Sequence, residues 1–281
     1  MAQQETAELF VKEVISELKK GTLKLPTLPD VAMRVRQAID DEHSTSNDIA
    51  SVISSDPALS ARLILMANSA MMRGQSDIED LNHVVNRLGL KMIRDLVTSI
   101  VVKQMFVSNS PATEKRLRAS WEHSTSVAAI CHVLAAQYTN LQPEQAMLAG
   151  LVHDIGALPI ITKAEKFPEL LENEDLLNKI ITKLHTTLGR IILTAWGFPD
   201  ELIQAASEHE NLTRDSKTTD FVDVVTVANL QSYVGTDHPL TKKDWSTIPA
   251  FGKLGLSPEV NVIDINETAD DIEKARRILA D

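Results

Sequence analysis

Apolar residues recur three and four positions apart along most of this chain, which is the spacing of one helix face and not the alternation of a strand. The pattern predicts a first helix from about Gln4 to Lys20, burying Leu9, Phe10, Val14, Ile15 and Leu18 and ended by Gly21. Leu25-Pro26-Thr27-Leu28-Pro29 should then be non-helical, because each proline pushes its predecessor out of the α region. Pro29 suits the first turn of a helix carrying Val31, Val35 and Ile39. Ser46-Asn47-Asp48 reads as the cap of a short helix through Ile53, and Asp56-Pro57 as the start of one bearing Leu59, Leu63, Ile64, Met66 and Ala67. After a loop at Gly74-Gln75-Ser76, Asp77 or Asp80 opens a stretch to Arg87, and Gly89 separates it from an apolar helix through Val102. Longer helices are expected at about 113–138, 143–160, 174–196, 199–209 and 219–234, with Pro143, Pro168 and Pro199 as starts or stops. Beyond Pro239 the chain is loop-rich until a polar helix around Glu267–Leu279.

These elements describe an all-α protein, a two-part helical bundle with its junction at Ser108-Asn109-Ser110-Pro111. The expected units are residues 1–107, residues 108–235 and a C-terminal extension, 236–281. An aromatic content of 4% and only 10 glycines speak against a β-sandwich. With 28 basic and 39 acidic residues the net charge is −11, so no nucleic-acid partner is expected. No apolar run is read as approaching the roughly 20 residues of a membrane span, and no membrane association is expected. The lone Cys131 cannot form an internal disulfide, which fits a reducing, cytoplasmic setting.

Several short sequences then carry a resemblance. Leu25-Pro26-Thr27-Leu28-Pro29, the run Ile53-Ser54-Ser55-Asp56-Pro57-Ala58-Leu59-Ser60-Ala61-Arg62-Leu63, Ala67-Asn68-Ser69-Ala70 and Arg87-Leu88-Gly89 resemble the N-terminal half of an HDOD module. Leu151-Val152-His153-Asp154-Ile155-Gly156 resembles the histidine–aspartate signature of the HD superfamily of metal-dependent phosphohydrolases. The similarity covers roughly residues 20–235. It implies a regulatory module of bacterial signalling proteins, many of which have lost the catalytic residues of their hydrolase relatives.

The resemblance also supplies a candidate ligand set. His123 matches the first histidine of an HD site, and His153 and Asp154 match its signature pair. An imidazole beside a carboxylate suits a borderline divalent ion. Read on one helix, the two side chains diverge by about 100° and share an ion only if other helices complete the site. Gly150 and Gly156 thin the helix on either side of the pair. His185 and His209 are similar to positions that help hold a second metal in the HD-GYP branch, and Asn229 stands where the HD signature ends in aspartate. Asp154 would be the sole anion among these six, and the catalytic candidate, so one metal (Fe, Mn, Zn or Mg) or an empty pocket is the electrostatic expectation. Departures from HD-GYP accumulate: Ala157 replaces a lysine, Glu208 a histidine, and Asn211-Leu212-Thr213-Arg214-Asp215 follows Glu210 in place of Gly-Tyr-Pro.

Other features draw plainer readings. Cys131 is a small core residue, and Cys131-His132 is not a nucleophile pair. Met66, Met71 and Met72 are core, or else an adaptable partner surface; Arg87, Lys91 and Arg94 share one face, solvated or else turned to an anionic partner. His43, His83 and His238 have no ligand spacing. The leading functional expectation is therefore a signalling module with a degenerate HD pocket that holds one metal without turnover. Its partners would be signalling proteins or a small phosphorylated ligand. The alternative is a metal-dependent phosphohydrolase acting on a small phosphoester or nucleotide, and a third reading is a nucleotide-responsive binder.

Overall fold

Local chemistry sets most helix ends. A computed structural model describes residues 2–69, 78–259, 261 and 266–280. Its N-terminal half comprises α1 (Ala2–Lys20), α2 (Asp30–Asp40), α3 (Ser46–Ser54), α4 (Pro57–Ala67), α5 (Leu81–Leu88) and α6 (Leu90–Val102). The cap of α3 is Thr45, one residue earlier than the sequence pattern suggested. Its hydroxyl accepts from the Asp48 amide at 3.3 Å, while Asp48 accepts from the Thr45 amide at 2.8 Å. Each side chain thus satisfies an orphan donor, which Ser46 could not do from inside the helix. Asp56 accepts from the amides of Ala58 and Leu59, both at 3.0 Å, and Pro57 follows at the first helical position. Asp80 caps α5 through the His83 amide. Met71, Met72, the loop at Gly74–Ser76 and Asp77 lie outside the described residues. Gly89, at φ 78°, turns the chain between α5 and α6.

The second half comprises α7 (Pro111–Tyr138), α8 (Pro143–Val152), α9 (Ala157–Ala164), α10 (Pro168–Glu172), α11 (Glu174–Ala195), α12 (Asp200–Glu208), α13 (Phe221–Ser232), α14 (Pro249–Lys253) and α15 (Asn266–Ala280). No strand occurs among the described residues. Helix α7 is the central post, packed against α8, α9, α13 and α15. One apolar core runs from Leu28 to Leu279 and joins both halves. The Leu25–Pro29 segment is non-helical, as expected. It is tied to the second half where Trp196 Nε1 donates to the Pro26 carbonyl at 3.1 Å. Nearby, Arg36 donates to the Gly197 carbonyl at 2.6 Å and lies 4.7 Å over the Phe198 ring.

Three expectations need correction. Helix α1 buries a narrow stripe of Ala7, Phe10 and Val14 against α9, α10 and α11, with Phe10 edge-on to Phe167 at 5.2 Å. Leu9 and Ile15 flank that stripe and remain 53% and 38% exposed, because the helix meets neighbours on one side only. The expected helix 143–160 is broken between α8 and α9 at residues 153–156. The amides of Ile155 and Ala157 bond three residues back, to Val152 and Asp154, in tight turns. Finally, Pro143–Ala164 is long and apolar enough by composition to resemble a membrane span, yet 89% of its most apolar window is buried inside the protein, where it serves as core.

Candidate metal centre

The broken helix is what builds the site. Gly156 has an ordinary φ of −68°, so its lack of a side chain is a matter of space. A Cβ there would lie 1.9 Å from the His185 carbonyl oxygen and 2.5 Å from the Gly189 nitrogen. The close approach sets the 153–156 turn directly on α11 and brings Asp154 to His185. Gly150 performs the same service against α7, where a Cβ would meet the Ala128 backbone and Cys131 Sγ at 2.8 Å.

All six expected residues converge. His123 comes from α7, His153 and Asp154 from the turn, His185 from α11, His209 from the end of α12, and Asn229 from α13. The Asp154 carboxylate is the hub. Its Oδ1 lies 3.2 Å from His185 Nε2 and 3.4 Å from His209 Nε2. Its Oδ2 lies 3.5 Å from His153 Nε2 and 3.8 Å from His123 Nε2. Two three-residue groups therefore share Asp154, one with His123 and His153, the other with His185 and His209.

The backbone fixes which nitrogen faces inward. His153 Nδ1 is 2.6 Å from the Gly150 carbonyl, His185 Nδ1 is 2.8 Å from that of Ile181, and His209 Nδ1 is 3.2 Å from that of Ala205. A carbonyl only accepts, so each Nδ1 carries the proton and each Nε2 turns a lone pair toward Asp154. His153 Nε2, Asp154 Oδ1 and Asn229 Oδ1 are buried without a hydrogen-bond partner. Unpaired buried polar atoms are costly unless something completes them. Three imidazole lone pairs, a carboxylate and an amide oxygen form a donor set that fits a divalent cation of the Zn, Fe or Mn type.

Electrostatics favour that donor set at His153 and His123, while at His209 a cation would have to displace a proton shared with Asp154. Burial pushes His153 down to about 3 and also lowers His123, which keeps both rings neutral. Burial would raise Asp154, but His153, His185 and His209 around it hold it well below the usual carboxylate range. For His209 burial is outweighed by its contact with Asp154, and its pKa rises.

Three residues outside the expected set also stand at the site. Glu210 Oε1 lies 3.8 Å from His185 Nε2, so a second carboxylate stands at the rim and Asp154 is not the sole anion. Its position directly after His209 was the available signal. The Tyr233 hydroxyl lies 3.3 Å from His123 Nε2, with the two rings stacked at 5.0 Å. Tyr233 follows Asn229 by four residues, one helical turn along the same face. Burial raises the Tyr233 phenol and keeps it protonated. His238, which lacked ligand spacing, stacks on the outer face of Tyr233 at 3.7 Å. Solvent reaches the centre on this side, where the side chains of His123, Asp154 and Glu210 are 19%, 21% and 33% exposed.

The HDOD domain family model matches residues 25–212, two thirds of the sequence. The chain belongs to the HDOD domain family. A solved structure from Shewanella amazonensis SB2B, provisionally named a metal-dependent phosphohydrolase, is 26% identical; the alignment covers 99% of this chain and 100% of that one with a TM-score of 0.83. An HDOD domain protein of unknown function from Geobacter sulfurreducens is 20% identical over 98% of this chain and 97% of its own, with a TM-score of 0.61. At that identity the likeness speaks for the fold. An uncharacterized protein of Treponema pallidum (strain Nichols) is 24% identical over 205 residues, which is 67% of this chain and 38% of the relative. The chain thus spans well under half the length of that curated relative.

The departures from the hydrolytic HD-GYP branch now have places. Ala157 is buried at the start of α9 and offers no charge to the centre. Glu208 faces away and binds Arg214 at 2.7 Å, so it is no substitute for a histidine ligand. Cys131 is fully buried, and burial raises its thiol, so it is core and not a nucleophile.

Proposed function

We propose that this HDOD chain is a regulatory module of bacterial signalling whose HD pocket takes up a divalent metal without turnover. The observation that carries the reading is the convergence of imidazole Nε2 atoms on one carboxylate, with three buried polar atoms left unpaired around it. In this reading Asp154 is the shared ligand, and the remaining donors come either from His185 and His209 or from His123, His153 and Asn229. Bound metal would act as a Lewis acid and lower the pKa of coordinated water. The protein's own part is to hold each imidazole in the Nδ1–H form and to join α7, α11, α12 and α13 through Asp154. Metal uptake would stiffen the junction of four helices, a change that a partner protein or a small phosphorylated ligand could sense. Ala157 and the uncharged Asn229 favour binding over catalysis. A reducing, cytoplasmic setting is part of the proposal and rests on the single buried thiol.

Glu210 favours a second reading, hydrolysis of a small phosphoester, because a second carboxylate offsets more cationic charge than Asp154 alone. Elemental analysis of purified protein, with a turnover screen on generic phosphoesters, separates the two. Metal without turnover supports the regulatory reading. Turnover abolished in His153→Ala transfers the assignment to the hydrolase, and absence of metal under saturating conditions removes both.

A further inference from the structure

The two donor groups around Asp154 are unequal. In the group of Asp154, His185 and His209 the inward atoms are separated by 3.2, 3.4 and 3.4 Å. Ligands held tetrahedrally about 2.0–2.1 Å from a zinc-like ion stand about 3.4 Å apart, the edge of that tetrahedron. This group is spaced for an ion already. Glu210 stands beside it, 3.8 Å from His185 Nε2, so the group has two carboxylates within reach.

The group of Asp154, His123 and His153 is wider, with contacts to the carboxylate of 3.5 and 3.8 Å. Its additional donor is the amide of Asn229, which carries no charge. Its His123 Nε2 already faces a partner, the Tyr233 hydroxyl at 3.3 Å. The tyrosine is held in that pose between two imidazoles, His123 at 5.0 Å and His238 at 3.7 Å. A metal approaching His123 must displace a stacked, half-buried phenol from the nitrogen it needs.

We infer that Tyr233 caps His123 and leaves the chain with one ready metal site, formed by Asp154, His185, His209 and Glu210. The inference rests on the metal reading above and adds which half of the centre is used. The group containing the HD signature's first histidine is held in reserve, its His153 Nε2 and Asn229 Oδ1 unpaired until Tyr233 swings away. Tyr233 and His238 are positioning residues here, acting through His123.

The test is Mn²⁺ titration of the metal-stripped full chain at one pH, with bound metal counted by equilibrium dialysis. Wild type should bind one equivalent. His185→Ala should weaken it by more than the ~10–100-fold that loss of an orienting partner costs a metal site. His123→Ala should retain the equivalent within a few-fold. Tyr233→Phe keeps the ring and removes the hydroxyl, and should admit a second equivalent. Anomalous diffraction from zinc-soaked wild-type crystals gives a readout free of substitution, and the peak should lie among Asp154, His185 and His209. Two equivalents in wild type, loss of the single equivalent in His123→Ala, an unchanged count in Tyr233→Phe, or a peak between His123 and His153 would each overturn the inference while leaving metal binding intact. Absence of metal from every variant would instead overturn the underlying metal reading, and this one with it.

Discussion

An amide oxygen at position 229 and a missing methyl at position 156 decide what the centre can hold. Asn229 is 4% exposed, on the α13 face that meets His123. Replacing it with aspartate adds a charge in a place where water screens poorly, so cation attraction is larger than at the surface. In a Tyr233→Phe background, where the His123–His153 group is open to a second ion, Asn229→Asp should raise Mn²⁺ affinity at that group by about tenfold, equivalent to ~1.4 kcal/mol. Calorimetric titration of both proteins at the same pH checks this; equal affinity would place residue 229 outside the coordination sphere. Gly156→Ala tests the space argument. The new methyl would fall on backbone atoms of His185 and Gly189, which cannot rotate aside as a side chain would. Overpacking of this kind costs about 1–3 kcal/mol, occasionally more. Because the strain lands on His185, metal affinity should fall together with the urea midpoint. A destabilised variant with unaltered metal binding would show that the turn does not position His185.

Helices α12 and α13 present His209 and Asn229, and the link between them rests on Arg214. Its guanidinium meets Asp220 at 2.7 and 3.1 Å and Glu208 at 2.7 Å. Asp220 in turn caps α13 through the amides of Val222 and Asp223, and buried Asp223 pairs with Lys253 at 3.0 Å. Removing one partner of a largely buried pair typically costs 3–5 kcal/mol. Arg214 is partly open to water, so Arg214→Ala should lose about 2–3 kcal/mol in denaturant unfolding and weaken metal uptake through His209. Loss of stability without a change in metal affinity would confine Arg214 to the scaffold. This network also marks what the sequence could show. The helical periods, the proline starts and the His123, His153, Asp154, His185, His209 and Asn229 set were legible, the last through resemblance, because they lie in regular elements or short motifs. The break at 153–156 was not, since the same apolar run suits a continuous helix until Gly156 meets α11. Nor was the capture of Glu208 by Arg214, which depends on how a loop folds back. The stacking of His238 on Tyr233 likewise joins a loop residue to a helix end and leaves no periodic trace.

Across the whole molecule, the two halves share a seam that carries a charge with no role in the metal centre. Asp95, on α6, is 8% exposed, and α6 packs against α8 of the second half. Burial raises its pKa to about 6, although Lys91, Arg94 and Arg36 pull it down; Glu144, at the start of α8, adds to the rise. Arg94 is itself engaged by Asp40 on α2, and Arg36 by the Gly197 carbonyl, so neither is free to neutralise Asp95 fully. A carboxyl raised from 3.8 to about 6 binds its proton more tightly in the folded chain than in the unfolded one. Its contribution to stability is therefore fully present below pH ~4 and is lost as the pH climbs through about 6. Near neutrality the ionised group is a burden of ~3 kcal/mol, taking 1.36 kcal/mol per pKa unit as an upper bound. Asp95→Asn has nearly the same shape and no charge to bury. It should raise the unfolding free energy at pH 7.5 by up to ~3 kcal/mol, with the advantage shrinking steadily toward pH 4. Urea melts of both proteins at pH 4, 5.5 and 7.5 measure that slope directly. A variant less stable than wild type at pH 7.5 would mean that Lys91, Arg94 and Arg36 outweigh the burial. The Asp95 carboxylate would then be a favourable tie between the halves, in place of a strained one.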